Sequence, residues 1–335
     1  MEIMHTWRGQ TRRIAVAMGT ALLAASASQA WAVEPAAPVD VAPSDTLGVP
    51  HTPTTTGQPC PEDGPCGNNG SISLDAGIDV TTAYLFRGIL QEHGGFQIFE
   101  PYADIGIDLY EGEGAVRSVG VGLGVWSAIH GRKTLNDGAG ASNLYEVDVF
   151  PSLTVGWPYG LATDVTYFAY TSPNGAFATI QEITAGVSWD DSEVLELGGV
   201  TLNPSAVFGF ETNNSALGTN EGIALDLAAE PAYTLMAESD YPITLALPLT
   251  LGLSLDDYYS CSDCGPDDSE LGSDTFGYFS FGLGASVPLS FIPSDFGTVS
   301  AAAGLDVYVF GDNLKAYNDL GDVYPVGTLG IAWEY

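Results

Sequence analysis

Basic residues are scarce in this chain of 335 residues, which carries 8 Lys and Arg against 42 Asp and Glu, a formal net charge of −34. So negative a field repels phosphate groups, which excludes binding to nucleic acid or to anionic lipid through charge. The same field attracts cations. Histidine is also rare, with 4 residues, and this restricts the catalytic chemistry open to the chain.

The sequence also lacks an apolar run long enough for a spanning helix, because the uncharged run over residues 14–27 falls short of the roughly 20 residues required. Arg8, Arg12 and Arg13 precede this run, and Ala30-Trp31-Ala32 follows it with the small residues of a cleavage site. This pattern predicts a secretory signal peptide over residues 1–32. Its removal leaves these basic residues: Arg87, Arg117, Arg132, Lys133 and Lys315.

Residues 33–70 are rich in Pro, Thr and Ala and have few aliphatic side chains. Such a segment buries too little apolar surface to fold alone, so we predict a flexible periplasmic tail. From residue 71 onward the composition changes to Gly, Val, Leu, Tyr and Phe, with apolar and polar residues alternating and no sustained helical period. The sequence therefore predicts one β domain over residues 71–335.

Twelve segments of this domain show the alternation at about the length of membrane strands. In the first, Ile72, Leu74 and Ile78 alternate with Asp75 and Asp79. A soluble sandwich would also alternate, but the even count and the long loops after odd-numbered segments favour a transmembrane, antiparallel, up-and-down β-barrel of about twelve strands. The predicted spans are 72–87, 97–110, 116–130, 144–157, 161–171, 178–190, 200–211, 222–235, 242–257, 275–288, 297–310 and 325–335.

The last eight residues alternate as well and include Thr328, Gly330, Trp333 and the terminal Tyr335. This ending resembles the C-terminal insertion signal of bacterial outer-membrane barrels, which implies contact with the barrel-insertion machinery and with outer-membrane lipid. A final strand of a soluble β protein is the alternative. Aromatic residues predicted to form a girdle at the membrane interface are Trp126, Trp157, Trp189, Tyr233 and Trp333.

The alternation places many carboxylates on the interior face of the barrel. Charged rings set the selectivity of pores, so we predict a narrow diffusion channel for small cationic or neutral solutes. A saline habitat is an equally good cause of the acidity and would give the same cation preference in an open barrel. The predicted pore-lining acids are Asp75, Asp79, Glu100, Asp104, Asp108, Glu146, Asp148, Asp164, Glu182, Asp226 and Glu230.

Arg87 is the one cation that the alternation places firmly on this interior face. We expect it to pair with Asp79, Glu100 or Asp104, and so either to brace the first hairpin or to form a constriction near the outer mouth. In the same strand, Tyr84 and Phe86 are predicted to point towards lipid. Gly88 permits the sharp turn that follows.

The stretch around Arg87 also carries a family resemblance. Tyr84, Arg87, Gly88, Ile89 and Gln91, with Trp126 in a later strand, resemble the opening hairpins of the TorF-type porin family, mainly over residues 78–130. The resemblance implies an outer-membrane barrel and a transport role, without a defined substrate. The chain departs from that family in its Pro/Thr-rich tail, its cysteines and its extreme acidity.

The cysteines form two local pairs, Cys60 with Cys66 and Cys261 with Cys264. An exported protein meets an oxidising compartment, so two small disulfide rings are expected. A single zinc site with all four thiolates would require the tail to thread the barrel. A redox role for the second pair lacks the strand-to-helix setting of such motifs.

No cofactor is expected, apart from calcium in two acidic loops. Oxygen ligands at this density can hold Ca²⁺, although a solvated acidic loop is the other interpretation and neither segment matches an EF-hand. The residues concerned are Asp263, Asp267, Asp268, Glu270 and Asp274 in one loop, and Asp312, Asn313, Asp319 and Asp322 in the other.

Two other functions stay open. A barrel hydrolase would need a His beside a Ser or a carboxylate, and His130 with Ser127 and Asp148 is the conceivable set, although no motif supports it. A barrel used for adhesion or envelope architecture, without transport, is the second alternative. We expect no enzyme.

Overall fold

The structure, a computed structural model, describes residues 71–131, 143–192, 194–195, 197–217, 220–260, 272, 274–318 and 320–335, the side chains of 94–96 excepted. The predicted signal peptide, the predicted tail and all four cysteines lie outside these residues.

Fifteen strands form one antiparallel sheet that closes on itself, because β1 pairs with both β2 and β15 and β12 pairs with both β9 and β13. One short helix, α1 (Asp312–Asn318), precedes the last strand. Among the described residues, no helix is long and apolar enough to cross a membrane. The strands are β1 Ile72–Phe86, β2 Ile89–Glu111, β3 Ser118–His130, β4 Leu144–Gly156, β5 Leu161–Thr171, β6 Ile180–Trp189, β7 Val200–Thr201, β8 Ser205–Asn213, β9 Ile223–Ala229, β10 Ala232–Leu235, β11 Ile243–Ala246, β12 Leu249–Asp256, β13 Phe276–Pro288, β14 Thr298–Phe310 and β15 Val323–Glu334.

Proline divides three neighbouring strands of the barrel. Pro204 lies between β7 and β8, Pro231 between β9 and β10, and Pro248 between β11 and β12. Proline has no backbone N–H to donate to the ladder, so each strand is interrupted there. The fifteen segments therefore make a closed barrel of twelve strands, which confirms the predicted fold class.

The two faces of the sheet differ as the alternation predicts. Along β1, Ile72 and Ile78 are exposed on the outside, whereas Asp79 is buried inside. Leu123 and Ile331 are likewise exposed on the outer face. A closed barrel satisfies its backbone groups between strands, and an apolar outer band suits it to lipid. The protein is an outer-membrane β-barrel of the Gram-negative type.

Aromatic residues surround the barrel at the end where the termini lie. Trp157, Trp189 and Trp333 each donate the indole N–H to an oxygen of a neighbouring strand or turn, and Tyr233 is exposed nearby. Trp126 was predicted to belong to this girdle, and that prediction is wrong. Its side chain is on the interior face and is 1% exposed.

The connections between strands are longer on the side opposite the termini, where β3 is joined to β4, β12 to β13 and β14 to β15. Turns on the terminal side include the three-residue 3-10 turn Pro158–Gly160. Outer-membrane barrels have short periplasmic turns and long extracellular loops. The terminal side is therefore periplasmic, and α1 belongs to an extracellular loop.

The outer part of the first hairpin, formed by β1 and β2, does not lie in the wall of the barrel. Thr81 pairs with Ile98 but Ala83 pairs with His93, so one residue of β1 faces four residues of β2, and a bulge bends the hairpin. Beyond this bulge, every residue from 83 to 91 is buried. We call residues 83–91 the plug hairpin.

The tip of the plug hairpin is a two-residue turn at Arg87 and Gly88, with φ of 43° and 80°. Both values are positive, as a type I′ hairpin turn requires, and glycine adopts the second without strain. Tyr84 and Phe86 are 0% and 2% exposed. The prediction that these two side chains face lipid is therefore wrong.

Candidate functional site

The guanidinium of Arg87 lies inside the barrel and contacts the far wall. Its Nε donates to Asp226 Oδ2 on β9 at 2.9 Å, and its Nη1 donates to Glu182 Oε2 on β6 at 2.5 Å. Nη1 also donates to the Tyr258 hydroxyl at 2.8 Å. In the closed order, β6 and β9 are the sixth and eighth of the twelve barrel strands counted from β1. The plug hairpin therefore spans the lumen.

This arrangement corrects the predicted partners of Arg87, since Asp79, Glu100 and Asp104 are not among the groups that it binds. The side chains of Arg87, Glu182 and Asp226 are all 1% exposed. Charge-assisted hydrogen bonds are strong where water is excluded, because the effective dielectric constant is low.

Tyrosine side chains orient the two carboxylates from behind. The Tyr278 hydroxyl donates to Asp226 Oδ1 at 3.1 Å, and the Tyr170 hydroxyl donates to Glu182 Oε1 at 3.4 Å. Each carboxylate thus has one oxygen on a tyrosine and the other on the guanidinium. We define the guanidinium pocket as Tyr170, Glu182, Gly209, Asp226, Tyr258 and Tyr278.

Two aromatic rings complete the environment of the cation. The Arg87 Cζ atom lies 5.0 Å from the ring centroid of Phe86 and 5.2 Å from that of Tyr258. Both distances are within the range of cation–π attraction. The pocket therefore combines negative charge with aromatic rings around one planar cation.

The absence of a side chain at Gly209 leaves space for the guanidinium of Arg87. It lies on β8, the seventh barrel strand and hence opposite β1. A Cβ atom at this position would lie 2.6 Å from both Nη1 and Nη2 of Arg87. The absence of a side chain at residue 209 is therefore a condition for the contact between the plug hairpin and the far wall.

We expect Gly209→Ala to displace the Arg87 guanidinium and to raise the open probability of the barrel in planar bilayers. Gly120→Ala is the matched control, because Gly120 is also an interior strand glycine and its Cβ would lie at an ordinary 3.5 Å from Asp108. Equal open probabilities of the two variants would show that the contact at Gly209 does not hold the hairpin.

Extracellular loops hold the backbone of the plug hairpin. Asn318 of α1 donates its amide N–H to the Gly88 carbonyl at 2.7 Å and accepts from the Leu90 N–H at 2.9 Å. The Tyr259 hydroxyl donates to the Arg87 carbonyl at 3.2 Å. Leu314 of α1 is fully buried next to Gly88. The hairpin is thus fixed at its tip from two loops.

The near side of the plug hairpin packs on β3 and β4. The Tyr84 ring is stacked on Trp126 with 5.3 Å between centroids, and its hydroxyl donates to Glu146 Oε2 at 2.6 Å. Tyr145 stacks on His130 at 4.2 Å. Aromatic side chains therefore occupy the outer half of the interior.

The predicted pore-lining acids lie on the interior face. Direct cross-strand partners include Asp79 with Glu100, and Asp75 with both Asp104 and Glu334. Like charges placed opposite one another are destabilising unless a cation or proton offsets them. Those that are buried are Asp79, Glu100, Glu146, Asp148, Asp164, Glu182, Asp226 and Glu230, and those that are partly exposed are Asp75, Asp104 and Asp108.

The calcium prediction concerns loops that are described only in part, since Asp263, Asp267, Asp268, Glu270 and Asp319 lie outside the described residues. Lys315 Nζ binds Asp312 at 2.6 Å and Asp322 at 3.2 Å, and these hydrogen bonds raise the pKa of Lys315 above its ordinary value. Asn313 donates its amide to the carbonyls of Tyr259 and Gly272. Within the described part, no group of three His, Cys, Asp or Glu could hold a metal ion.

The conceivable hydrolase set is not assembled. Ser127 pairs with Val147, whereas the interior residue Trp126 pairs with Asp148. Ser127 therefore lies on the opposite face of the sheet from Asp148 and from His130, which is buried inside. The three side chains are not brought to one place.

Sequence reasoning missed Gly209 and the tyrosines of the guanidinium pocket. A signal for the inward hairpin was available in Leu85, Phe86, Ile89 and Leu90, which surround the turn. A hairpin tip that projected into water would be polar, so an apolar tip indicates burial. The far-wall partners had no comparable local signal.

No protein-family model matches the chain, and no curated protein matches it in sequence. Among solved structures, it is similar to the NanC porin at 12% identity over 78% of this chain and 98% of that one, with a TM-score of 0.38. It is also similar to an outer membrane channel from Pseudomonas putida F1 (9% identity, 79% and 94%, TM-score 0.39) and to LpxR from Salmonella typhimurium (9% identity, 78% and 99%, TM-score 0.39).

Proposed function

We propose that the protein is a gated outer-membrane channel for the passive diffusion of small solutes, closed in this conformation by the plug hairpin. The observation that carries the proposal is the contact of Arg87 with Glu182 and Asp226 across the lumen. The bulge between Thr81 and Ala83 provides a hinge, because the strand pairing is interrupted there. Movement of residues 83–91 about this hinge opens the pathway.

A preference for cations follows from the interior charge. Asp75, Asp104 and Glu334 lie together near the periplasmic mouth and are partly exposed. Acidic rings attract cations and repel anions. The permeants of the proposed channel are therefore small cationic or neutral solutes. The resemblance of residues 78–130 to TorF-type porins is consistent with a transport role.

The proposal also includes the route into the membrane. Tyr335 follows β15 and is 47% exposed at the periplasmic rim. An exposed terminal aromatic is accessible to the barrel-insertion machinery before the last strand closes on β1. We expect deletion of Tyr335 to slow assembly of the folded barrel.

A structural barrel without transport is the second candidate. Packing of Tyr84 on Trp126, and of Phe168 on Tyr170 with centroids 5.4 Å apart, resembles a permanent core. Close-packed aromatic contacts of this kind stabilise a closed barrel as well as a gate. The two candidates differ in whether the plug hairpin ever leaves the lumen.

Recording from the wild-type protein in planar bilayers tests the proposal. We expect long closed periods with brief openings, and reversal potentials in a KCl gradient that indicate a cation preference. A retained shift in gel mobility on heating would establish that the barrel is folded. Anion-selective openings would contradict the assignment of charges to the lumen, and silence of both the wild type and its Arg87 variants would support the structural barrel.

A further inference from the structure

The guanidinium pocket has the features of a receptor for a planar cation. Its two carboxylates are held by the hydroxyls of Tyr170 and Tyr278, which belong to the wall of the barrel on β5 and β13. Gly209 on β8 leaves the space in which the cation lies. These wall residues do not belong to the plug hairpin, so the pocket keeps most of its shape when the hairpin leaves.

Arg87 does not use the full donor capacity of its side chain in this pocket. A guanidinium has five N–H donors. Nε and Nη1 are hydrogen-bonded, whereas Nη2 is buried and has no acceptor among the described residues. The fit of the tethered guanidinium is therefore incomplete, and a free guanidinium could adjust its position to bind the same carboxylates.

The pocket cannot stay empty without cost. Glu182 and Asp226 are both 1% exposed. When the plug hairpin leaves, these two neighbouring carboxylates lose the cation between them, and like charges held close together repel each other. When Arg87 leaves, the pocket will take up a cation, and a planar fork of donors matches two carboxylates better than a point charge does.

We infer that the guanidinium pocket binds the guanidinium group of small solutes, and that Arg87 is a tethered occupant of this site. Such solutes compete with Arg87, and since they bind only when the plug hairpin is displaced, they shift the population towards the open state. This inference rests on the proposed gated channel. It identifies guanidinium compounds as a class of permeant or gating ligand.

Block of an Arg87→Ala channel by methylguanidinium tests the inference. The vacated pocket should bind methylguanidinium and reduce the current in a concentration-dependent manner. Methylammonium, which has the same charge but no fork, should block about tenfold more weakly, the difference that a single charge-assisted hydrogen bond makes. Methylguanidinium should block the double variant Arg87→Ala with Asp226→Asn about tenfold more weakly than it blocks Arg87→Ala.

The possible outcomes separate the inference from the proposed function. Equal block by the two cations, or unchanged block in the double variant, would overturn the guanidinium site and leave the channel intact. If Arg87→Ala is folded but conducts no current, the proposed channel function is wrong. The guanidinium site is then tested by thermal unfolding of the variant in detergent. Stabilisation of Arg87→Ala by methylguanidinium that disappears in the double variant supports the site, and its absence overturns it.

Discussion

Replacing Arg87 by glutamate is expected to hold the barrel open in planar bilayers. The variant would put a third carboxylate beside Glu182 and Asp226, which are buried and have Arg87 as their cationic partner. Disrupting a buried ion pair costs about 3–5 kcal/mol, and each 1.4 kcal/mol is a factor of ten in the equilibrium. The population with the plug hairpin in the lumen should therefore fall by roughly two orders of magnitude or more.

Arg117→Glu is the matched control for this prediction. It makes the same change of charge at an arginine that is exposed beside a periplasmic turn, and that forms no ion pair within the described residues. We expect its conductance to equal that of the wild type. Equal open probabilities for Arg87→Glu and Arg117→Glu, with both barrels folded, would show that Arg87 only braces the hairpin.

Neutralising the acidic group at the periplasmic mouth should abolish most of the cation preference of the open channel. The variant combines Asp75→Asn, Asp104→Asn and Glu334→Gln in the Arg87→Glu background. These three carboxylates are cross-strand neighbours on β1, β2 and β15. They set the local potential that a permeating ion meets, because the low-dielectric wall of a barrel focuses their field. The magnitude of the reversal potential in a KCl gradient should become several-fold smaller.

A control with the same change in net charge separates the local effect from the global one. Glu238→Gln, Asp240→Asn and Asp295→Asn alter three exposed side chains on periplasmic turns outside the lumen. Exposed charges are screened over about 10 Å at ordinary ionic strength. We expect this control to retain the cation preference. Loss of selectivity in both triple variants would attribute the preference to net charge alone.

The fold was largely predictable because the membrane imposes a simple rule on each strand. Ile72, Ile78 and Asp79 have the faces that the alternation predicts, and twelve predicted segments correspond to the twelve strands of the barrel. The prolines that divide three of these strands changed the number of segments but not the topology. Alternation depends only on residues that are adjacent in the sequence. The faces of the strands can therefore be predicted from a single sequence.

The plug hairpin was not predictable by the same rule. Alternation assigns one face to lipid, but beyond the bulge both faces of the hairpin are buried in protein, so Tyr84 and Phe86 were assigned to lipid wrongly. The contacts of Arg87 with Glu182 and Asp226 join residues 95 and 139 positions apart. Such a pairing depends on the diameter and closure of the barrel, which no local pattern contains.

The rate at which a thiol on the plug hairpin reacts is the most direct test of the central claim. Ile89→Cys would be made after replacing Cys60, Cys66, Cys261 and Cys264 by serine, because Ile89 is 0% exposed inside the barrel. Asp312→Cys in the same background is the accessible reference, since the Asp312 side chain is 88% exposed.

A membrane-impermeant maleimide added outside intact cells should label the Ile89→Cys protein slowly when Arg87 is present. It should label that protein at a rate close to the Asp312→Cys reference when Arg87→Glu is added. This result would establish that the hairpin lies in the lumen and that the ion pair holds it there. Rapid labelling with Arg87 intact would contradict the account, because residue 89 would then be exposed to water and the plug hairpin would not be packed inside the lumen.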